Sequence, residues 1–302
     1  MEYNEFKDSI VNELKDRLDE ALDIQLREVT KNNGVVLDGI VIARKDAKIA
    51  PTFYINDLYD MYEKGKDYED ILDFLIDSYN EHSSDFFFDP NEFEDFGRMK
   101  NNIMFKVINA KLNEDLLKGI PHRDFLDLAI CYYVYIKDQN FERGSILINN
   151  EHMKLWGVDE NSLYEISRSN TKENLDVDFM SMYDMLCEIM SKRGEDEEFI
   201  KEALKPMDDK MYILTNKDRH FGASCIVYND VFKEIAKEKE SDLIIIPSSV
   251  HELIIILSEE DGRIDEFNDM VSEVNKNHVL PQEILSDHVY IYDRLKDEIR
   301  IC

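Results

Sequence analysis

The feature that most constrains this fold is a pair of short apolar runs near the end of the chain, LIII at residues 243–246 and LIIIL at Leu253–Leu257. Runs of consecutive Leu and Ile are typical of strands that are buried on both faces. A strand pattern at residues 211–214 and an amphipathic helix precede the two runs. Residues 210–259 therefore predict a strand, a helix and two buried strands.

The composition is that of a packed globular protein with room for two domains. Of the 302 residues, 43% are hydrophobic, and only 10 Gly and 6 Pro interrupt the chain. Residues 83–96 show no regular period and break at Pro90, so we place a junction there. The predicted domains are residues 1–97, with a helix, a β-hairpin and acidic helices, and residues 98–302, an α+β domain.

The balance of charges limits the partners of the chain. There are 66 Asp and Glu residues against 36 Lys and Arg residues, which gives a formal net charge of -30. So negative a surface repels the phosphates of nucleic acids and of anionic membranes. We therefore expect no direct binding to nucleic acid or to a membrane, and a basic protein as the partner. Solubility alone is the alternative explanation of the charge.

Cysteine usage and the N-terminus predict a cytoplasmic protein. Cys131, Cys187, Cys225 and Cys302 are widely spaced and form no CxxC pair, so neither a disulfide framework nor a zinc knuckle is indicated. Residues 1–20 are charged from the second position onwards and have a helical period, unlike a secretory signal. No apolar run approaches the roughly 20 residues that a membrane helix needs.

Local patterns predict a smaller module at the N-terminus. Strand patterns at residues 24–30 and 35–44 flank Asn33 and Gly34, which both tolerate the positive φ of a type I′ turn. Asn56 is placed to cap a helix that follows this hairpin. Helices at residues 5–21 and around residue 75 carry apolar stripes: Phe6, Ile10, Leu14 and Leu18 in the first, and Ile71, Phe74, Leu75 and Tyr79 in the second.

The second part predicts a mainly antiparallel sheet with helices on one face. A strand at residues 103–110, a short helix, Ile120-Pro121 and Asp127-Leu128 lead into a strand that ends at residue 136. The same order recurs around Ile246-Pro247 and Glu252-Leu253. This echo predicts two related β-α-β-β units that share one sheet, because each unit alone buries too little apolar surface. Chance similarity of two short runs is the open alternative.

Helical patterns dominate residues 160–204. Their widest apolar face is rich in methionine: Met180, Tyr183, Met185, Leu186, Ile189 and Met190. Ordinary core packing is the expected use of such a face. Because methionine adapts its shape to irregular surfaces, a groove for a partner is the alternative.

Cys225 and His220 have the outline of a nucleophile and its base. Cys225 follows Gly-Ala-Ser near a predicted helix N-terminus, where the helix dipole lowers the pKa of a thiol. However, Cys225 shares an apolar helical stripe with Tyr228 and Phe232, which predicts a buried sulfur instead. Ser224 lacks the preceding strand that a nucleophile elbow needs.

Two pairs of polar residues follow prolines at predicted strand entrances: His122 with Asp124, and His251 with Glu252. Such loops could bind a metal or act as acid and base, because histidine titrates near neutral pH and a carboxylate fixes its tautomer. The alternative is that these residues cap strands and bond the backbone. With His220, these four residues are the candidate site. No HExxH motif, phosphate loop or calcium loop is present, so we expect no metal and no cofactor.

Residues 57–96 interleave many carboxylates with Phe and Tyr. Such a segment could imitate the phosphates and bases of nucleic acid and occupy a DNA-binding protein, although a charge run usually forms a solvated helix face. The local basic cluster KDRH at residues 217–220 is a candidate anion contact, no stronger than other exposed loops.

Five runs of residues resemble a known family, and the likeness covers nearly the whole chain. The runs are NGVVLDG at 33–39, IAPTFYI at 49–55, LTNK at 214–217, IPSSVHE at 246–252 and LSDHVY at 285–290. On these runs the chain resembles domain of unknown function 5688, an uncharacterised family of gut Clostridia. The resemblance implies no reaction, cofactor or partner and identifies no functional residue.

Three functions stand as hypotheses. The leading one is a cytoplasmic, non-enzymatic interaction or regulatory protein whose acidic surface binds a basic partner. The second is a metal-dependent or Cys/His hydrolase with its site at the two proline-led loops. The third is a nucleic acid mimic that binds a DNA-binding protein.

Overall fold

A computed structural model of the chain describes residues 1–44, 52–83, 90–136, 144–204, 211–258 and 264–302. Helices and antiparallel sheets make up the fold, so the α+β prediction is confirmed. The chain divides into two compact units, one of Met1–Lys100 with Tyr135–Ile146 and one of Asn101–Val134 with Leu147–Cys302. The domain boundary that the sequence places after residue 97 stays a prediction.

The first unit contains a three-stranded antiparallel sheet with strand order β1-β2-β3 and helices packed against it. Its elements are α1 (Tyr3–Arg17), β1 (Leu22–Thr30), β2 (Val36–Arg44), β3 (Thr52–Tyr54), α2 (Ile55–Glu63), α3 (Tyr68–Ser83), α4 (Pro90–Glu94) and α5 (Phe96–Met99). The apolar stripe of α1 packs with β2 and α3 in one core cluster that includes Phe6, Ile10, Leu14, Ile40, Ile42, Ile71 and Leu75.

The predicted hairpin is confirmed. Asn33 and Gly34 adopt φ angles of 60° and 69°, in a five-residue loop closed by the Lys31 N–H, which donates to the Val35 carbonyl oxygen at 2.6 Å. Asn56 does not cap α2, because the helix begins one residue earlier at Ile55. Its Oδ1 instead accepts the backbone N–H of residue 38 on β2 at 3.0 Å.

The remaining elements form two further antiparallel sheets and the helices around them. They are β4 (Ile103–Asn109), α6 (Glu114–Leu117), β5 (His122–Phe125), β6 (Leu128–Ile136), β7 (Gly144–Leu147), α7 (Asn150–Trp156), α8 (Glu160–Asn174), β8 (Val177–Ser181), α9 (Met182–Lys192), α10 (Glu197–Leu204), β9 (Met211–Asn216), α11 (Asn229–Lys239), β10 (Leu243–Pro247), β11 (Leu253–Leu257), α12 (Ile264–Asn277), β12 (Tyr290–Asp293) and β13 (Glu298–Ile301). One sheet has the order β4-β6-β5 with β7 also paired to β6, and the other has the order β13-β12-β10-β11-β9-β8.

The predicted internal echo is confirmed in strand order. In each β-α-β-β unit the third strand of the chain lies between the first and the second. The strand orders are β4-β6-β5 and β9-β11-β10. The two units lie in separate sheets rather than in one. On the outer edge of β4, the Phe105 N–H donates to Thr171 Oγ1 at 3.0 Å and the Val107 N–H donates to Ser224 Oγ at 3.3 Å. These side chains occupy the edge where another strand would have to pair.

Helices cover both faces of the six-stranded sheet, whereas the sequence predicted helices on one face. On one face Val271 of α12 joins Ile244 and Ile291 in an apolar cluster. Tyr292 follows Ile291 on β12 and pairs with residue 243, so its side chain points to the opposite face of the sheet. There its ring centroid lies 6.0 Å from that of Phe232 on α11. The physical reason is that β10 is apolar and buried at all of its positions, so neither face tolerates water.

Two strands were not expected from the sequence. β8 lies where a continuous helical pattern was predicted, because residues 177–181 pair with β9 and Ser181 then caps α9, accepting the Asp184 N–H at 3.0 Å. β5 lies where a proline-led loop was predicted, because it pairs with β6 across a two-residue turn in which Leu126 has a φ of 57°. Within the described ranges, no helix has both the length and the apolar composition needed to cross a bilayer.

Candidate functional site

The structure brings His220 and His251 together. Their ring centroids lie 5.4 Å apart, and the ring of Phe221 is 3.9 Å from His220 and 5.8 Å from His251, nearly parallel to the latter. The antiparallel pairing of β9 with β11 has this effect, because it sets the turn after β9 beside the connection before β11. We call His220, Phe221 and His251 the histidine cluster.

A tight turn after β9 carries His220 and Phe221. Arg219 and Phe221 both adopt a φ of 51°, in the left-handed region. Asn216 holds this turn with its side chain, because its Nδ2 donates to the His220 carbonyl oxygen at 2.8 Å and its Oδ1 accepts the His220 N–H at 3.2 Å. An asparagine at the end of a strand thus supplies the bonds that a regular turn would take from the backbone.

Gly222 lets the two loops approach each other. A Cβ at this position would lie 2.5 Å from the His251 carbonyl oxygen and 2.8 Å from the Asn216 nitrogen, and closer still to Thr215 Oγ1. Because Gly222 does not have a positive φ, the lack of space and not the backbone conformation requires glycine here.

His251 is held by hydrogen bonds on several sides. Its Nδ1 accepts the Phe221 N–H at 3.2 Å, its own N–H donates to Ser249 Oγ at 3.0 Å, and its carbonyl oxygen accepts Thr215 Oγ1–H at 2.8 Å. A neutral ring therefore carries its proton on Nε2, which lies 3.7 Å from Glu283 Oε1.

Glu252 closes the connection between β10 and β11. Its Oε1 accepts Ser248 Oγ–H at 3.3 Å, and its carbonyl oxygen accepts the Ser249 N–H at 3.3 Å. These local bonds are those of a residue that shapes an irregular connection.

His122 and Asp124 lie on the strand β5 and not in a loop, so the prediction of a loop after Pro121 is wrong. His122 pairs with Cys131 on β6, which pairs in turn with Lys106 on β4. The backbones of His122 and Lys106 are therefore two strand spacings apart, about 10 Å. The His122 Nδ1 lies 3.0 Å from the backbone oxygen of residue 120.

Sequence reasoning missed three neighbours of the histidine cluster. The Lys106 Nζ lies 4.3 Å from the centroid of the Phe221 ring, a cation–π contact. The ring of Tyr133 meets Phe221 edge-on at 5.5 Å, and Glu283 faces His251. A usable signal existed for Lys106 alone, since it is a single charge inside the apolar strand IMFKVIN.

The two thiols near this region are buried. Cys225 lies in a 3-10 turn at Gly222–Val227, before α11, and its Sγ donates to the Thr215 carbonyl oxygen at 3.3 Å. Burial raises the pKa of the Cys225 thiol from 9.0 to about 12 and raises the pKa of Cys131 to about 12 as well. The predicted burial of Cys225 is confirmed, and a thiol with this pKa stays protonated at neutral pH.

Two basic residues beside the histidine cluster are paired with carboxylates. Lys217 Nζ lies 2.6 Å from Asp176 Oδ2, and Arg219 Nη2 lies 2.6 Å from Glu188 Oε2. The basic cluster predicted as an anion contact therefore already faces carboxylates. Within the described ranges, no group of three or more His, Cys, Asp or Glu side chains is arranged to hold a metal ion.

A second candidate site is the methionine-rich side of α9. We call the following residues, which recur with the spacing of one helix face, the α9 surface: Met182, Met185, Leu186, Ile189 and Met190. All five are partly buried, and α9 contains no fully buried residue. The core packing expected from the sequence is therefore incomplete, since neighbouring β8 is also only partly buried along its length and Phe199 on α10 is 56% exposed.

Comparison with known proteins identifies a family and no activity. A sequence profile described as "Family of unknown function (DUF5688)" matches residues 3–294, which confirms the resemblance seen in the sequence. No curated protein and no solved structure matches the chain.

Proposed function

We propose that this chain, which belongs to the DUF5688 family of unknown function, is a non-enzymatic interaction protein of the cytoplasm whose acidic surface binds a basic protein. The observation that carries the proposal is the excess of 66 acidic over 36 basic residues, a net charge of -30. Internal ion pairs leave this excess in place, because each pair uses one acid and one base. Such a surface accelerates encounter with a basic partner and disfavours acidic ones.

The polar groups in and around the histidine cluster support this proposal because they have partners within the fold. Cys225 is buried with a raised pKa, and His251 uses Nδ1, its N–H and its carbonyl oxygen in local hydrogen bonds. Lys217 and Arg219 are each paired with a carboxylate. Residue types that often carry catalysis thus have structural partners at this place.

Affinity capture with the full-length chain tests the proposal. The tagged protein is incubated with extract of its own cells at about 50 mM and about 150 mM salt, beside an unrelated protein of similar net charge as the control. We expect a basic protein that the chain retains and the control does not, more strongly at the lower salt. If the chain retains nothing beyond the control at either salt, the proposal is wrong.

A hydrolase at the histidine cluster is the second candidate. The observation in its favour is the 5.4 Å separation of the His220 and His251 rings, with His251 Nε2 facing Glu283. Metal analysis of the purified protein and a panel of ester, amide and phosphoester substrates test it. The hydrolase is supported if the protein turns over a substrate, His251→Gln abolishes this activity and the exposed control His278→Gln retains it. Absence of turnover with every substrate of the panel counts against the hydrolase.

Nucleic acid mimicry by residues 57–96 is a third proposal. The exposed acids of α3 support it, although Arg17 pairs with two of them, Glu69 at 2.7 Å and Asp73 at 3.5 Å. Residues 84–89 of this segment lie outside the described residues. The test is competition with duplex DNA for DNA-binding proteins of the same cell, which should weaken steeply as salt rises. Competition that does not depend on salt would remove the idea.

A further inference from the structure

We infer that the α9 surface is the docking site for the partner and that the partner contributes a basic amphipathic helix. This inference rests on the proposed function and assigns it a place on the molecule. It joins two independent observations, an apolar helix face that the fold leaves incompletely covered and a strong local excess of acids.

The apolar face is the first observation. Its five residues follow the spacing i, i+3, i+4, i+7 and i+8 of one helix face. The apolar stripe of α1 has part of this spacing, i, i+4 and i+8 at Phe6, Ile10 and Leu14, and is buried. On α9 none of them is buried. Part of this apolar face stays in contact with water, and covering it would stabilise a complex with a partner.

The methionine content indicates the kind of partner. Four of the 12 methionines of the chain lie in residues 180–190. Unbranched, polarisable methionine side chains adapt to the shape of what they contact, and they are common where a surface receives apolar anchors from another chain. A ridge of residues at helical spacing is best matched by the groove of a second helix, whose anchors recur with the same period.

The charge around α9 indicates the sign of the partner. Residues 176–204 contain nine acidic and three basic residues. Glu195, Asp196 and Glu198 are exposed in and after the turn that follows α9. Two of the nine acids are excluded from this acidic rim, because Asp176 already pairs with Lys217 at 2.6 Å and Glu188 already pairs with Lys192 at 2.7 Å and with Arg219 at 2.6 Å. An apolar helix with lysine or arginine at its borders complements such a rim.

The same charges argue against other occupants. A second copy of the chain would bring two acidic rims together, and like charges across an interface are costly. Nucleic acid and anionic lipid are repelled for the same reason. A basic amphipathic helix is the occupant that satisfies both the apolar face and the rim.

A synthetic probe tests the inference on the full-length protein. The probe is a helical peptide of about 18 residues composed of Leu and Lys, with Leu at the helical spacing of one face. One control peptide has the same composition in scrambled order, and another has Glu in place of Lys. Fluorescence anisotropy gives Kd at about 50 mM and about 300 mM salt. We expect the patterned basic peptide to bind at least about tenfold more tightly than both controls.

Two variants locate the binding. Met185→Gln with Met190→Gln should weaken the probe at least about tenfold, whereas Met270→Gln, an exposed methionine on α12, should leave Kd unchanged. Glu195→Gln with Glu198→Gln should weaken it at low salt and reduce its salt dependence, while the exposed control pair Glu114→Gln with Glu165→Gln should not. The charge variants keep the inference testable if the methionine variant unfolds, because their side chains are exposed.

Each outcome separates the inference from the proposed function. Equal binding by the α9 variants and their controls overturns the inference, and so does equal binding of the patterned and scrambled peptides. The inference is also overturned if sedimentation equilibrium shows self-association that Met185→Gln with Met190→Gln abolishes, because a second copy of the chain would then occupy the α9 surface. If cell extract yields a partner that these variants still retain, the proposed function stands and the docking site is elsewhere.

Discussion

Gly222→Ala tests whether close packing of two loops builds the histidine cluster. The added Cβ would lie 2.5 Å from the His251 carbonyl oxygen and 2.8 Å from the Asn216 nitrogen. Both are backbone atoms that cannot rotate away, so the turn after β9 and the connection before β11 must separate. Inserting one carbon into a packed site typically costs about 1–3 kcal/mol, and we expect about 3 kcal/mol or more here.

The assay is urea unfolding followed by the fluorescence of Trp156, the only tryptophan of the chain, which lies in the same unit as Gly222. The matched control is Gly119→Ala, where the nearest atom to the added Cβ is 3.6 Å away. We expect this control to stay within about 0.5 kcal/mol of the wild type. If Gly222→Ala is also within that range, the close approach does not hold the site together.

Three further predictions concern buried or partly buried polar groups. Tyr68→Phe should keep or raise the melting temperature, because the buried hydroxyl has no hydrogen-bond partner among the described residues; a clear decrease would contradict this. Glu160→Ala should lower the free energy of unfolding by about 1–3 kcal/mol, because its carboxylate accepts hydrogen bonds from Arg123 and from the buried Tyr132. The control Glu151→Ala, at an exposed position, should change the free energy of unfolding by less than about 0.5 kcal/mol. Equal effects of the two substitutions would contradict this prediction. Burial raises the pKa of Cys131 and Cys225 from 9.0 to about 12, so these two thiols should resist Ellman's reagent until the protein unfolds. The stability that their protonated forms contribute, complete below pH 9, should be lost as the pH rises toward 12. Fast reaction of Cys131 or Cys225 in the native protein would contradict this, whereas reaction of the partly exposed Cys187 and Cys302 would not.

The features that the sequence predicted correctly are those that one segment determines alone. The apolar stripe of α1 and the turn at Asn33 and Gly34 depend on residues within one helix or one hairpin. The all-apolar runs of β10 and β11 need only a covered sheet. In each case the local pattern and the tertiary environment favour the same structure.

The features that the sequence missed depend on distant partners. Residues 177–181 contain a pattern that also suits a helix, and only pairing with β9 makes them a strand. His220 and His251 belonged to one candidate site without any contact between them being predicted, and their approach follows from the register of β9 with β11. Lys106 reaches Phe221 from another sheet, which no local spacing reveals.

The incomplete burial of α9 was also beyond local reasoning. A stripe of Met, Leu and Ile at helical spacing has the same appearance whether the fold covers it or leaves it for a partner. The structure distinguishes the two cases by exposure, because the stripe of α1 is buried and that of α9 is not.

Hydrogen exchange of the full-length chain with and without the patterned Lys/Leu peptide tests the central claim most directly. The claim is that an acidic interaction protein binds a basic helix through α9. It predicts slower exchange in α9 and α10 when the peptide is bound, with unchanged exchange in the turn at residues 216–222 and the connection at residues 248–252. Slower exchange at those two loops, or bound peptide without any change in α9, would contradict it.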